Sequence, residues 1–292
     1  MERTLKVLNL PLTPYREAWA LQHALLELRA KDEVPNALIL LEHPPVITMG
    51  RRSSADHILA PRDVLAHMGI EVIEVERGGD VTFHGPGQLV GYPIVDLRAA
   101  GLGGVDLLRR IEEAIIGVLA GFGVSASTVP GLTGVWVGAQ KIAAIGVGVK
   151  RGVSYHGFAM NVTTDLSYFD LIVPCGIRDR GVTSLARELP SAAGRVPAGA
   201  ETPREGAASV QTGPAASTST PAGPHEPPRS HVSVECVRPV VASTLARALG
   251  LALDPAGPVS DPSAIHPSLS PTAVRQPTRP AGPSEEAPRE NA

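Results

Sequence analysis

The chain has 292 residues, 26 basic against 29 acidic side chains and a net charge of -3, a balance that argues against a nucleic-acid binder with its basic excess. Two cysteines are too few to staple a secreted domain of this size. No charged segment followed by an apolar run marks a secretory signal, and no apolar run reaches bilayer length, so a reduced, cytoplasmic protein is expected.

Aromatics make up only 3% of the chain, so its core must rest on Val, Leu, Ile and Ala. Leu5–Leu10 reads as a strand. Thr13-Pro14 reads as a cap followed by proline at the first helical position, with Ala18, Leu21, Leu25 and Leu28 on one face of the helix. Ala37–Leu41 is a buried strand, and Pro61–Met68 a short helix ended by Gly69. Leu108, Ile111, Ile115, Val118 and Phe122 align along a second long helix, Val105–Phe122. Three strands follow in series, Gly134–Val137, Lys141–Val149 and Val153–Val162. Successive strands with a few long helices predict an α+β (mixed α/β) domain.

Of the 28 prolines, 18 lie from Pro190 onward, with few large apolar residues beside them. Segments 191–230 and 254–292 are therefore expected to be a disordered insert and a disordered tail. Between them Val234, Val237, Val241, Leu245 and Leu249 recur at helical spacing. A helix within 231–253, kinked or begun by Pro239, is thus expected to pack back on the core and complete a domain spanning 1–190. No heptad pattern or isolated apolar stripe demands a partner, so a monomer is expected.

Three segments could carry chemistry. In Arg77-Gly78-Gly79-Asp80-Val81-Thr82-Phe83-His84, a paired-glycine turn leads into a strand; glycines let backbone approach a ligand closely. A Gly-Pro-Gly-Gln turn follows it, and two tight turns around a hydrogen-bonded histidine explain the same residues. The segment lacks phosphate-loop spacing. Lys141 stands in an apolar and small-residue run, where its head either snorkels to water or is poised to give up a proton. Cys175 lies between Pro174 and Gly176, hence on a turn, where a thiol is a nucleophile or a small packing residue. Cys236 reads as a packing residue. His84, His156 and Cys175 lack metal-ligand spacing, so no metal is expected.

Taken together, these pieces resemble the lipoyl(octanoyl) transferases of the biotin/lipoate protein ligase superfamily. The likeness runs from Leu38 to Leu185 in the family's order. It comprises EHPPVITMGR (42–51), RGGDVTFHGPGQLVGYPIVDL (77–97), GVWVGAQKIAAIGVGVKRGVSYHGFAMNV (134–162), DLSYFDLIVPCGI (165–177) and GVTSL (181–185). It implies a mixed, largely antiparallel sheet flanked by helices. Cys175 would take an octanoyl or lipoyl group from acyl carrier protein as a thioester, paired with Lys141. Arg77 to His84, Ala144, Ile145 and Gly146, and Gly157, Phe158 and Ala159 would line the acyl pocket. The acceptors would be lipoyl domains of 2-oxoacid dehydrogenases and the glycine cleavage H protein, with no cofactor and no ATP. Backbone N–H groups near Cys175–Gly176, with His84, are candidate oxyanion donors.

Ala143, Ala144, Gly146 and Gly148 could leave room for a linear acyl chain or serve tight packing. Arg51, Arg52, Lys150, Arg151, Arg178 and Arg180 could dock an acidic carrier or be a solvated scatter. Family members commonly have Trp where this chain has Gly152, a change expected to loosen the pocket edge. An ATP-dependent lipoate or biotin ligase, a non-catalytic acyl-binding relative and a lipoyl amidotransferase are the competing readings.

Overall fold

A computed structural model describes residues 4–177, 180–189 and 232–270 of the chain. In chain order the elements are β1 (Thr4–Leu12), α1 (Tyr15–Ala30), β2 (Asn36–Glu42), β3 (Val46–Met49), α2 (Arg62–His67), β4 (Glu71–Glu74), β5 (Val81–His84), β6 (Gln88–Ile94), α3 (Leu97–Ala100), α4 (Gly104–Gly121), β7 (Ser127–Val129), β8 (Leu132–Val137), β9 (Gln140–Lys150), β10 (Val153–Asn161), β11 (Gly181–Val182), α5 (Leu185–Glu188), α6 (Val234–Ala248) and β12 (Ala252–Leu253).

The larger sheet runs β12-β1-β2-β6-β10-β9-β8-β7, with β11 added beside β9. Its middle, from β2 to β8, is antiparallel, while β1 pairs in parallel with β2 and β12. A smaller sheet, β4-β3-β5, stands apart. The fold is a mixed sheet flanked by helices, α+β in class.

The period-two rule for strands places the core. On β2, Leu38 and Leu40 face α4 and α6, while Ala37, Ile39 and Leu41 face α1. Helix α4 packs Leu107, Ile111, Ala114, Ile115, Val118 and Leu119 onto the first face. Helix α6 adds Val234, Val237, Val241, Ala242 and Leu245, with Leu249 just past its end, all buried. Pro239 lies inside α6. The preceding residue anchors the helix: buried Arg238 donates from Nη1 to Leu10 O at 2.9 Å and Leu40 O at 2.8 Å. Cys236 is exposed, not packed inside; its sulfur accepts Ser233 N–H at 3.3 Å at the helix N-terminus.

Three local expectations are corrected. Pro14, not Thr13, precedes the first helical residue, and Thr13 Oγ1 donates to Pro11 O at 2.9 Å. The segment 254–270, expected to be part of a disordered tail, is ordered. Val259 bridges β1 through Val259 N–Val7 O and Asn9 N–Val259 O, at 2.9 and 2.8 Å. Two 3₁₀ turns then begin with Pro262 and Pro267 and bury Leu269 against the α1 core. Backbone bridging needs few apolar side chains, and proline suits the first position of such turns, so composition concealed this order. Residues 190–231 and 271–292 lie outside the described residues, and the expectations for the insert and the rest of the tail fall on them.

Gly152 forms, with Arg151, the two-residue β9–β10 hairpin; both have positive φ, 83° and 54°, as a type I′ turn requires. Arg98 covers the glycine. The residue shapes a hairpin tip and lies outside the linings of both cavities around Cys175, so the expected loosening of the pocket edge does not follow.

Candidate active site

Alternation on β5 sorts the first chemical segment. Thr82 and His84 face a narrow slot, whereas Val81 and Phe83 point the other way, into a cluster with Ile47, Phe169 and Ile172. Val81 and Phe83 are thus core residues, not pocket lining. Arg77, Gly79 and Asp80 line the slot from the preceding turn, and Gly78 lines the adjoining cleft. From β9 and β10 come Ala144, Ile145, Gly146, Gly157, Phe158 and Ala159. Two of the small residues noted with them are packing positions: Ala143 joins the α4 core, and Gly148 is filled by the Tyr155 ring.

Sequence reasoning missed Tyr15, Val90, Tyr92 and His156, which also line the slot. They arrive from α1, β6 and β10; Val90, Tyr92 and His156 lie within the segments of likeness, but no local pattern marks them as lining. The Tyr92 hydroxyl meets His43 and the Tyr15 hydroxyl meets His156 Nδ1 at 3.5 Å, whereas His156 Nε2 is buried without a hydrogen bond, 3.8 Å from Glu76. His43 joins Thr13 O to the Tyr92 hydroxyl, 2.7 Å each. Tyr15 stacks on His84 with centroids 5.9 Å apart. Burial holds the His43 pKa down at about 4 and that of His84 well below the usual imidazole range; it raises those of Tyr15 and Tyr92. All four are neutral at pH 7.

The network assigns the protons. Gln88 Nε2 donates to Phe83 O and Asn161 Oδ1, at 3.2 and 2.9 Å. Its Oε1 must therefore accept, so His84 carries its proton on Nδ1, 2.8 Å away. His84 Nε2 is then a lone pair facing Thr48 Oγ1 at 3.4 Å. The Thr48 hydroxyl accepts from Arg77 Nε and Nη2 at 3.3 and 2.9 Å and so has its proton free for His84. Neither imidazole nitrogen has an N–H left to offer an oxyanion, which corrects the expectation for His84.

Lys141 and Cys175 come together on one cleft of about 370 Å³, also lined by Arg52, Gly78, Gly79, Asp80, Thr133 and Gly146. Cys175, Asp80 and Gly146 are also walls of the slot, so the two spaces meet at the thiol. The cysteine sits on a one-turn 3₁₀ segment, Pro174–Gly176, at φ 57° and ψ 20°. That left-handed conformation is uncommon for a side chain with a Cβ and is concentrated at functional sites. Gly176 follows at φ 70°, and its N–H is committed to Val173 O at 3.1 Å. The buried Arg77 guanidinium is within electrostatic reach of Cys175.

Lys141 is buried at the start of β9, with Nζ 4.8 Å from the centroid of its cross-strand neighbour Trp136. Gly134, at φ 120°, makes room: a Cβ there would lie 3.4 Å from Lys141 Cε and 2.6 Å from Ala143 O. Buried Glu112 accepts the Gly134 N–H at 3.0 Å. On the other side, β11 pairs with Gln140 and Lys141, and Thr183 N–H donates to Lys141 O at 3.0 Å.

The expected arginine patch divides. Lys150 and Arg151 pair with Glu27, at 3.8 and 2.5 Å. Arg180 lies 5.3 Å from the Trp136 ring. Arg51 is exposed and Arg52 lines the cleft, while Arg178 is outside the described residues.

The family model of the lipoyl protein ligase A/B catalytic domain matches residues 14–196. The chain belongs to that family. Among its curated relatives is the octanoyltransferase of Koribacter versatilis, 53% identical over 190 residues, 63% of this chain and 76% of the relative. That of Rubrobacter xylanophilus is 53% identical over 188 residues, 63% and 84% of the two chains. Among solved structures, a lipoate-protein ligase A bound with ATP aligns at TM-score 0.58 and 17% identity, over 92% of this chain and 94% of that one. The bi-partite lipoate protein ligase of Thermoplasma acidophilum aligns at 0.57 and 17%, over 92% of each. At such identity these two share the fold.

Proposed function

We infer that this chain is an octanoyltransferase that carries the acyl group as a thioester on Cys175, with Lys141 as the proton-transfer partner. The identity of about half to curated octanoyltransferases supports the reaction. The observation that carries the mechanism is that Cys175, at the junction of cleft and slot, shares the cleft wall with Lys141.

In the first step the Cys175 sulfur, its proton passed to Lys141, attacks the thioester carbonyl of octanoyl-acyl carrier protein, and the phosphopantetheine sulfur leaves with that proton, which restores neutral Lys141. The wider cleft suits the incoming arm and the slot the acyl end. With Gly176 N–H committed to Val173 O, Cys175 N–H is the candidate backbone donor for the oxyanion. In the second step the ε-amine of a lipoyl-domain lysine attacks the Cys175 thioester, forming the amide and expelling the Cys175 thiolate, while Lys141 takes the amine's proton and returns it to that sulfur. The donor is already activated, so ATP has no part. Among the described residues no helix is long and apolar enough to cross a membrane; with free cysteines, a cytoplasmic site of action fits.

Intact-protein mass spectrometry after mixing with octanoyl-acyl carrier protein, without ATP, tests this. A hydroxylamine-labile octanoyl adduct that is absent in Cys175→Ala is expected. Folded protein that stays unmodified, and transfers only when given ATP and free octanoate, would move the assignment to a ligase.

A further inference from the structure

Beside the Cys175 turn stand a histidine and a carboxylate outside the nucleophile–lysine pair. Asp80 Oδ2 lies 2.6 Å from His57 Nδ1. The contact is off the N–H axis and is not a linear hydrogen bond. Asp80 Oδ1 accepts Val81 N–H at 2.7 Å, which fixes the carboxylate. Gly176 rests directly on both groups: a Cβ at that residue would lie 2.6 Å from Asp80 Oδ2 and 3.1 Å from His57 Cε1. His57 also grips the turn through its backbone, its carbonyl accepting Val173 N–H at 2.7 Å.

We propose that His57 and Asp80 form a positioning pair for the nucleophile: together they are the floor on which the Cys175–Gly176 turn is held in its left-handed conformation. The proposal rests on the reading of Cys175 as the acyl carrier. Consecutive residues at φ 57° and 70° persist only where the surroundings over-determine them, and here the glycine's lack of a Cβ lets the backbone settle onto the carboxylate. Asp80 also lines the cleft and the slot next to the thiol, where a bare carboxylate would repel a forming thiolate. His57 and the Val81 N–H draw its charge toward themselves. Neither group need touch the substrate; both act through where the sulfur sits.

The test is the single-turnover rate of Cys175 octanoylation from octanoyl-acyl carrier protein in His57→Ala, Asp80→Ala, His57→Asn and Asp80→Asn, with thermal melting as the fold check. Displacing a reacting atom by about 1 Å costs on the order of 100-fold. The Ala variants are therefore expected to lose at least about 10-fold in limiting rate, with the half-saturating donor concentration unchanged. The Asn variants keep a polar group of similar shape and are expected to recover most of that rate. Ala variants that acylate at the wild-type rate, or whose loss falls wholly on half-saturation, overturn the proposal. So do Asn variants as slow as Ala ones at equal melting temperature. If one Ala variant does not fold, the comparison at the other residue decides. An unmodified wild-type Cys175 would be a failure of the thioester mechanism itself; a labile wild-type adduct with a wild-type rate in His57→Ala is a failure of the pair alone.

Discussion

Gly146→Ala should separate a structural packing defect from a catalytic one. A Cβ at Gly146 would stand 2.6 Å from Gly78 O and 3.3 Å from Arg77 Cδ. Ordinary contact begins near 3.4 Å, so the carbonyl must withdraw by about 0.8 Å. The loop it belongs to is tied to β9 by Gly78 N–Val147 O, 3.1 Å, and to β3 by Arg77 Nη2–Thr48 O, 2.8 Å. Overpacking of this kind costs about 1–3 kcal/mol, and loss of the Gly78 hydrogen bond about 1 kcal/mol more. At about 2–4 °C per kcal/mol for a domain of this size, melting should fall by roughly 4–16 °C. Gly79 and Asp80, which share walls with Cys175, move with the loop, so octanoylation should slow by about 10- to 100-fold. Gly148→Ala is the control. Its Cβ would lie 2.5 Å from the Tyr155 ring, away from the slot and cleft, so it should lose similar stability while each folded molecule acylates at the wild-type rate. Equal acylation rates in the two variants, measured per folded molecule by mass spectrometry, would refute the claim that the Arg77–Asp80 turn sets the site.

The buried histidines make stability depend on acid. His43 has its pKa held near 4 in the fold against about 6.5 when unfolded. The unfolded chain therefore takes up a proton that the native state refuses. This contribution is complete above about pH 6.5 and lost as pH falls toward 4, about 3 kcal/mol in all. His84 and His156, lowered for the same reason, add in the same direction. Urea unfolding at pH 7, 5.5 and 4 should show a shallower pH dependence in His43→Gln than in wild type; parallel curves would remove His43 as a cause. Arg238→Met should destabilise by about 2–5 kcal/mol in urea unfolding. It keeps the bulk but leaves the Leu10 and Leu40 carbonyls without their buried donor. Wild-type stability in that variant would show that apolar packing alone docks α6.

Much of the chemistry was legible because residue types stood out from their surroundings: Lys141 in a small, apolar run, and Cys175 between proline and glycine. Less legible was which member of a motif faces the ligand. Strand alternation alone sends Val81 and Phe83 to the core and Thr82 and His84 to the slot, yet the whole of Arg77 to His84 was read as lining. His84 could be named but its proton could not be assigned, since that follows from Gln88 and Asn161. Tyr15 and His57 carry no local mark at all, and Tyr92 and His156, although inside the segments of likeness, have nothing local that turns them toward the slot. Each becomes a site residue only when α1, β6, β10 and the loop after β3 close around the cysteine. The order of 254–270 was hidden for the converse reason, since its ties to β1 are made by backbone atoms.

One segment explains how the cysteine and the lysine are kept in register. The Cys175 loop leaves an antiparallel bridge between Ile172 and Ile58 and ends in β11 beside Gln140 and Lys141. Cys175 is thus slung between the segment that bears His57 and the strand that bears Lys141. Its far end is fixed by buried polar links: Asn161 Nδ2 donates to Thr183 O at 2.9 Å, and Thr183 N–H to Lys141 O at 3.0 Å. Asn161 is in turn held by Gln88, which holds His84. The slot wall, the lysine strand and the cysteine loop therefore share one hydrogen-bond chain. Buried links of this kind are costly to leave half-made, so displacement at either end is resisted along the whole chain. On the proposed mechanism His84 accordingly serves by holding that geometry and not by donating to the reacting carbonyl.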